Sequence, residues 1–345
     1  MKFNFQAFSA IYLHEMDRFK RTLMQSLFSP VLSTSLYFIV FGSVIGGYVE
    51  NIPNGVEFIE GDLIDLNWLT TCMKGSDLVY HTACTAYEGL SVFSPSLVVQ
   101  NTTQISVNAM TAAIMSSCSK FVHCSSMARY GTQDVTPFSE EMECKPQDPY
   151  GIAKYAAELL LQNLSKVHGI SLVIAVPHNI IGPRQKYDDP YRNVAGIMLN
   201  LMMQGRQPVI YGDGTQVRCF SDIRDDIDCL TSLAFDERAI GQVFNIGPDE
   251  EEVTINELCL EIANQLKFNV DPIYMPGRPQ EVKHATCSAD KIRRYFNYKT
   301  KFTLSDSIAN MIKYIERRGN REFNYHLPIE IVNDQTPATW TNKMF

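Results

Sequence analysis

Residues 124–154 read CSSMARYGTQDVTPFSEEMECKPQDPYGIAK. An apolar run, Lys120–Cys124, leads into this stretch, and Pro149 opens what reads as a helix, since proline is tolerated in a first helical turn. Tyr150 and Lys154 are four residues apart and therefore share one helix face. An ammonium beside a phenol favours the ionised phenolate, which is how a protein makes a base from tyrosine. Working outward, strand and helix signals alternate as in an α/β chain. Val56–Ile59, Asp77–His81, Lys120–Cys124 and Leu172–Val176 read as strands, and Leu97–Ser117 and Pro149–Val167 as helices.

The 345 residues are 45% apolar and 20% charged, a globular composition with room for one large or two ordinary domains. Net charge is −8; residues 1–49 carry +2 and the remainder −10, which argues against a nucleic-acid surface. Nine cysteines are scattered without a Cys-x-x-Cys pair, a usage fitting a reducing, cytoplasmic compartment with neither disulfides nor zinc. His81, His123 and His178 offer no local ligand pair and read as core or cleft residues, so no metal is expected.

The N-terminus has a different character. No charged residue or histidine occurs from Thr22 to Val49, and Val31–Tyr48 is apolar or small over a length that can span a bilayer, for which about 18–20 residues are needed. Residues 22–49 are thus a candidate membrane contact, preceded by an amphipathic stretch. The wording of residues 1–46 resembles the start of an ABC-2 type transporter permease. The competing reading is a strand with a degenerate dinucleotide loop, Gly42-x-x-x-Gly46-Gly47. That loop lacks the glycine spacing that lets backbone approach a pyrophosphate, and the seven residues between Tyr48 and Val56 are too few for the rest of a βαβ unit of about 30 residues.

From about residue 48 to 320 the chain resembles the extended short-chain dehydrogenase/reductase family, in its NAD-dependent sugar-nucleotide epimerase/dehydratase branch. The resemblance rests on an ordered set: VEFIEGDL (56–63), HTAC (81–84), Asn101, SSMARYG (125–131), YGIAK (150–154), PHNIIGPRQ (177–185), VIYGDGTQVRCF (209–220), FNIG (244–247) and GRPQEV (277–282). It implies a Rossmann-like parallel sheet, here without a normal first βαβ unit, and a smaller C-terminal substrate domain. The expected divisions are 1–47, 48–180, 181–325 and a tail, 326–345, that names no chemistry.

By the same resemblance Tyr150 is the general base and acid, Lys154 lowers its pKa and holds the nicotinamide ribose, and Ser126 bonds the reacting hydroxyl. Asp62, Leu63, Ala83, Asn101 and Pro177, with Tyr150 and Lys154, line the NAD cleft. Asn179, Arg218 and Arg278 hold the diphosphate of a nucleotide sugar, a task suited to the forked guanidinium. Read locally, Asn179 is equally a strand-end cap, each arginine a surface charge, and Gly212-Asp213-Gly214 a tight turn. Family dehydratases follow the serine with Asp-Glu; Met127-Ala128 cannot transfer protons, which favours epimerisation through a 4-keto intermediate, with reduction and decarboxylation open. A homodimer through the two long helices is also implied. The missing glycine loop leaves three readings: an active epimerase, an inactive chimera of a permease start and a truncated epimerase, or a membrane-tethered module that binds nucleotide sugars without cofactor.

Overall fold

The computed structural model describes residues 55–345. The permease-like segment, the candidate span 22–49 and the degenerate glycine loop lie outside the described residues, among which no helix is long and apolar enough to cross a membrane.

The first lobe runs α1 (Leu66–Met73), β1 (Leu78–His81), α2 (Glu88–Ser91), α3 (Pro95–Val99), a π-helical turn (Gln100–Gln104), α4 (Ile105–Met115), β2 (Lys120–Cys124), a 3-10 turn (Met127–Tyr130), α5 (Pro149–His168) and β3 (Ser171–Pro177). After β4 (Ile180–Ile181) come α6 (Val194–Met203), β5 (Val209–Tyr211), β6 (Val217–Cys219), β7 (Ser221–Asp222), α7 (Ile223–Leu233), β8 (Val243–Ile246), β9 (Glu252–Thr254) and α8 (Ile255–Leu266). β10 (Ile273–Met275), β11 (His284–Ala285), α9 (Asp290–Phe296), α10 (Leu304–Arg318) and α11 (Ala338–Thr341) complete the described chain.

β1, β2, β3 and β8 form a four-stranded sheet in that order, all parallel. Successive side chains of a strand point to opposite faces, and β3 divides accordingly: Leu172, Ile174 and Val176 enter one core with Leu69, Met110 and Leu161, while Val173 and Ala175 enter a second with Leu233, Phe244 and Ile292. Burial on both faces explains why β2 and β3 read as near-continuous apolar runs. Behind β4 the small sheets β10-β5, β11-β6-β9 and β4-β7 pack with α6, α8 and α10 around a separate core that includes Met198, Leu258 and Ile308.

Three of the four expected strands form. Val56–Ile59 does not: Glu57 and Ile59 are exposed, Val56 and Phe58 are only half-buried, and no described strand pairs with it. The expected helix Leu97–Ser117 is interrupted by the π-helical turn, which carries Asn101.

Candidate active site

The ends of β2 and β3, the start of α5 and the second lobe enclose one cavity of about 570 Å3. Ser126, Tyr150, Lys154, Pro177, Asn179, Arg218 and Arg278 all line it. Asp62, Leu63, Ala83 and Asn101 do not: Asp62 is exposed and accepts from the Ile64 amide at 3.0 Å, Leu63 and Ala83 are core residues, and the Asn101 carbonyl accepts from the Thr85 amide at 3.0 Å.

Local geometry fixes the Ser/Tyr end. Asp148 caps α5 by accepting from the Gly151 amide at 2.9 Å, with Pro149 following as expected. Gly151 is required by contact: a Cβ there would stand 2.6 Å from the Ala128 carbonyl, so glycine alone lets α5 approach the 3-10 turn that follows Ser126. Gly131, at φ +63, ends that turn, where a Cβ would collide with the Lys145 carbonyl.

Tyr150 and Lys154 share the buried face of α5, but their electrostatics differ from expectation. Lys154 Nζ donates to the Cys124 carbonyl at 2.8 Å. Burial pushes the Tyr150 phenol well above its ordinary pKa, Cys84 and Glu88 add to this, and a hydrogen bond from Ser126 and the charge of Arg192 pull it down. Burial thus favours the protonated phenol, and the Lys154 ammonium is hydrogen-bonded to the β2 carbonyl.

One turn further along the same face is Glu158, fully buried, which accepts from the Ser125 hydroxyl and lies 3.0 Å from Arg129 in a close charge contact. Breaking a buried pair strands a charge in low dielectric, so this pair pins the SSMARYG segment to α5. The sequence carries the signal, since 150, 154 and 158 continue one i, i+4 row.

At the other end Arg218 and Arg278 converge on Glu281, at 3.8 and 2.9 Å, and Arg278 also lies over the Tyr211 ring at 4.9 Å. Neither is a surface charge, their side chains being 12% and 26% exposed. Burial lowers the Arg218 pKa, while Glu88 and Glu281 act to raise it. Asn179 adopts φ +44 and donates to the Cys219 carbonyl at 3.1 Å, tying β6 beneath the arginines. Gly212-Asp213-Gly214 is a tight turn, closed by Asp213 accepting from Thr215. The histidines are interior: His81 bonds Ser106 at 2.8 Å and is pushed down to about 3 by burial and Lys154, His123 stacks on it, and His178 bonds the Pro248 carbonyl.

Ser126 and Tyr150 thus face the Arg218 and Arg278 pair across one cavity. The model of the NAD dependent epimerase/dehydratase family matches residues 42–247. The chain belongs to that family. UDP-glucose 4-epimerase of Mycolicibacterium smegmatis is 27% identical over 283 residues, covering 79% of this chain and 88% of that protein. The crystal structure of UDP-glucose 4-epimerase with UDP-glucose from Thermotoga maritima superposes with a TM-score of 0.72 at 26% identity, over 80% of this chain and 89% of that one. UDP-glucuronic acid 4-epimerase from Bacillus cereus, in complex with UDP-glucuronic acid and NAD, gives 0.72 at 25% identity over 78% and 84%. Membership accounts for the four-stranded parallel α/β sheet and its appended second lobe. Several residues of the cavity escaped sequence reading: Glu88, Tyr191 and Arg192 belong to no motif, Tyr211 lies in the 209–220 motif without an assigned role, and only folding brings them to its wall.

Proposed function

We propose that this chain is an NAD-dependent sugar-nucleotide 4-epimerase acting through a 4-keto intermediate. The observation that carries the reading is the single cavity with Ser126 and Tyr150 at one end and Arg218 and Arg278 at the other. A nucleotide sugar needs both ends: guanidinium forks for the diphosphate, and a proton acceptor and donor at the reacting carbon.

The residues present fit the nicotinamide half of the cofactor. Tyr150, Lys154 and Pro177 line the cavity, and the buried Thr82 hydroxyl at the end of β1 has no hydrogen-bond partner, as expected of a group that a ligand satisfies. NAD, when bound, would accept and return the hydride and bring a positive charge that lowers the pKa of a neighbouring phenol. Tyr150 then takes the proton of the sugar hydroxyl, with Ser126 holding that hydroxyl by hydrogen bonding, and gives a proton back to the keto oxygen on the return half. Lys154 fixes the end of β2 behind the phenol and supplies the local cation. Met127 and Ala128, a thioether and a methyl, offer no proton for eliminating water. We place this body in the cytoplasm, where NAD and nucleotide sugars are available, and read it as a homodimer without nucleic-acid partners.

The test is NAD⁺ calorimetry beside interconversion assays with UDP-, GDP- and dTDP-hexoses on the full chain and Tyr150→Phe. Expected are NAD⁺ binding, epimerisation of at least one hexose, and a loss of about 10²–10⁴-fold in kcat for the variant with substrate affinity kept. Nucleotide-sugar binding without NAD⁺ binding or hydride transfer would replace the epimerase with a binding module.

A further inference from the structure

We infer that Glu88 makes the sugar subsite of this cavity select a neutral hexose over a hexuronate, an inference that rests on the nucleotide-sugar reading above. Glu88 opens α2, just beyond the end of β1, and its side chain is exposed, but into the cavity. It interacts electrostatically with Tyr150 on one side and with Arg218 and Arg278 on the other, so it stands between the acid/base end and the anion end.

Its position is built, not incidental. Ser91 donates to the Glu88 carbonyl at 2.7 Å and to Asp148 at 3.3 Å, anchoring α2 to the cap of the helix that carries Tyr150. On the other side Arg278 packs against Gly89 so closely that a Cβ there would lie 2.9 Å from its Nη1. Among the described residues Glu88 has no direct ion-pair partner, so its carboxylate is available to a ligand. A sugar nucleotide with its diphosphate on the arginines and its reacting carbon at Tyr150 passes its hexose beside Glu88. A carboxylate there accepts hydrogen bonds from hydroxyl groups and repels the carboxylate of a uronic acid.

The groups facing Glu88 also set a pH dependence. Enclosure by the cavity walls, with Asp148 and Glu281 and against the pull of Arg218 and Arg278, raises its pKa to about 7. A carboxyl so raised is largely neutral at pH 6 and charged at pH 8, so discrimination against a uronate grows as pH rises through 7. Arg192, on the cavity wall, is the cation that would work the other way by pairing with a uronate.

The experiment measures affinities of the full chain for UDP, UDP-glucose and UDP-glucuronate at pH 6 and pH 8, in wild type, Glu88→Gln and Glu88→Asp. Expected is a preference for UDP-glucose of about tenfold or more at pH 8. It should shrink at pH 6, collapse in Glu88→Gln and persist in Glu88→Asp, with UDP affinity constant throughout. A UDP-glucuronate affinity equal to that for UDP-glucose at pH 8, or a preference unchanged in Glu88→Gln, overturns the proposal. So does a collapse of kcat in Glu88→Gln with the preference intact, which would assign the carboxyl to proton transfer. Failure of the wild type to bind UDP at all removes the nucleotide-sugar reading and this inference with it, whereas UDP binding without sugar preference removes this inference alone.

Discussion

A carboxyl buried without a cation beside it is a liability that a protein meets by keeping it neutral. Asp226, in the first turn of α7 and 2% exposed, is held by the Ser221 hydroxyl; burial raises its pKa to about 7, and Asp225 and Asp222 push the same way. Its pKa in the unfolded chain is the ordinary value near ~4. Between those values the folded protein binds a proton that the unfolded chain has lost, so stability falls as pH rises through that window and the cost is fully present above pH 7. Asp226→Asn keeps the shape and the acceptor for Ser221 without the charge. Its gain in Tm should grow from pH 5 to pH 8, by about 2–4 °C for each kcal/mol recovered; thermal melts across that range check it, and a gain independent of pH would mean the carboxyl is not the cause. Such environments are invisible in the sequence. The Tyr/Lys spacing placed Tyr150 and Lys154 on one face, but not that Lys154 would turn to the Cys124 carbonyl and leave burial to govern the phenol, because that depends on a backbone acceptor on another strand.

At the scale of elements, α5 combines two roles on two stripes. Tyr150, Lys154, Ala157, Glu158 and Leu161 are buried, while Ile152, Leu159, Leu160 and Val167 are exposed at 51%, 50%, 45% and 66%. At 100° per residue those four fall within about a quarter of the helix circumference, an apolar stripe on a surface that is normally polar. We propose that a second copy of the chain covers it, since a self-complementary helix pair is the simplest isologous interface. Leu159→Glu with Leu160→Glu should convert the dimer to monomer in light scattering with the melting profile of the monomer little changed; a monomeric wild type would dismiss the interface. α5 was legible because its signals are local: a cap, a proline at the first turn, a 3.6-residue period and Gly169 after its end. Val56–Ile59 misled because its apolar residues resemble a strand, whereas a strand exists only where a neighbour pairs with it. The π-helical turn before α4 leaves no mark in the apolar pattern.

At the scale of the whole molecule, the least legible segment does the most joining. Residues 320–345 show no periodicity, and their contacts are with residues far away in sequence, which no local reading recovers. Ser94 donates to the Pro328 carbonyl at 2.7 Å, the Glu330 carboxylate accepts from the Ser96 and Leu97 amides at 2.9 Å, and Thr339 bonds Tyr211 beneath Arg278. The tail thus ties α2 and α3 of the first lobe to the second lobe, and Phe345 reaches the cavity itself. Trp340 is its anchor: 3% exposed, donating Nε1 to the Pro190 carbonyl at 3.0 Å, and packed edge-on against Phe93 and Tyr191, whose rings lie 6.1 and 5.6 Å away. Tyr191 and Arg192 are cavity wall, so the anchor backs the subsite beside Tyr150. Removing a buried indole leaves a cavity and an unpaired carbonyl, and Trp340→Ala should cost about 3–5 kcal/mol in urea unfolding. If the tail positions the wall, the variant at permissive temperature should also raise KM for the nucleotide sugar while leaving NAD⁺ affinity near that of the wild type, because Tyr150, Lys154 and Pro177, which we propose hold the nicotinamide half of NAD, belong to the first lobe. Lost stability with KM unchanged would make the tail a cover over the core, with no part in shaping the site.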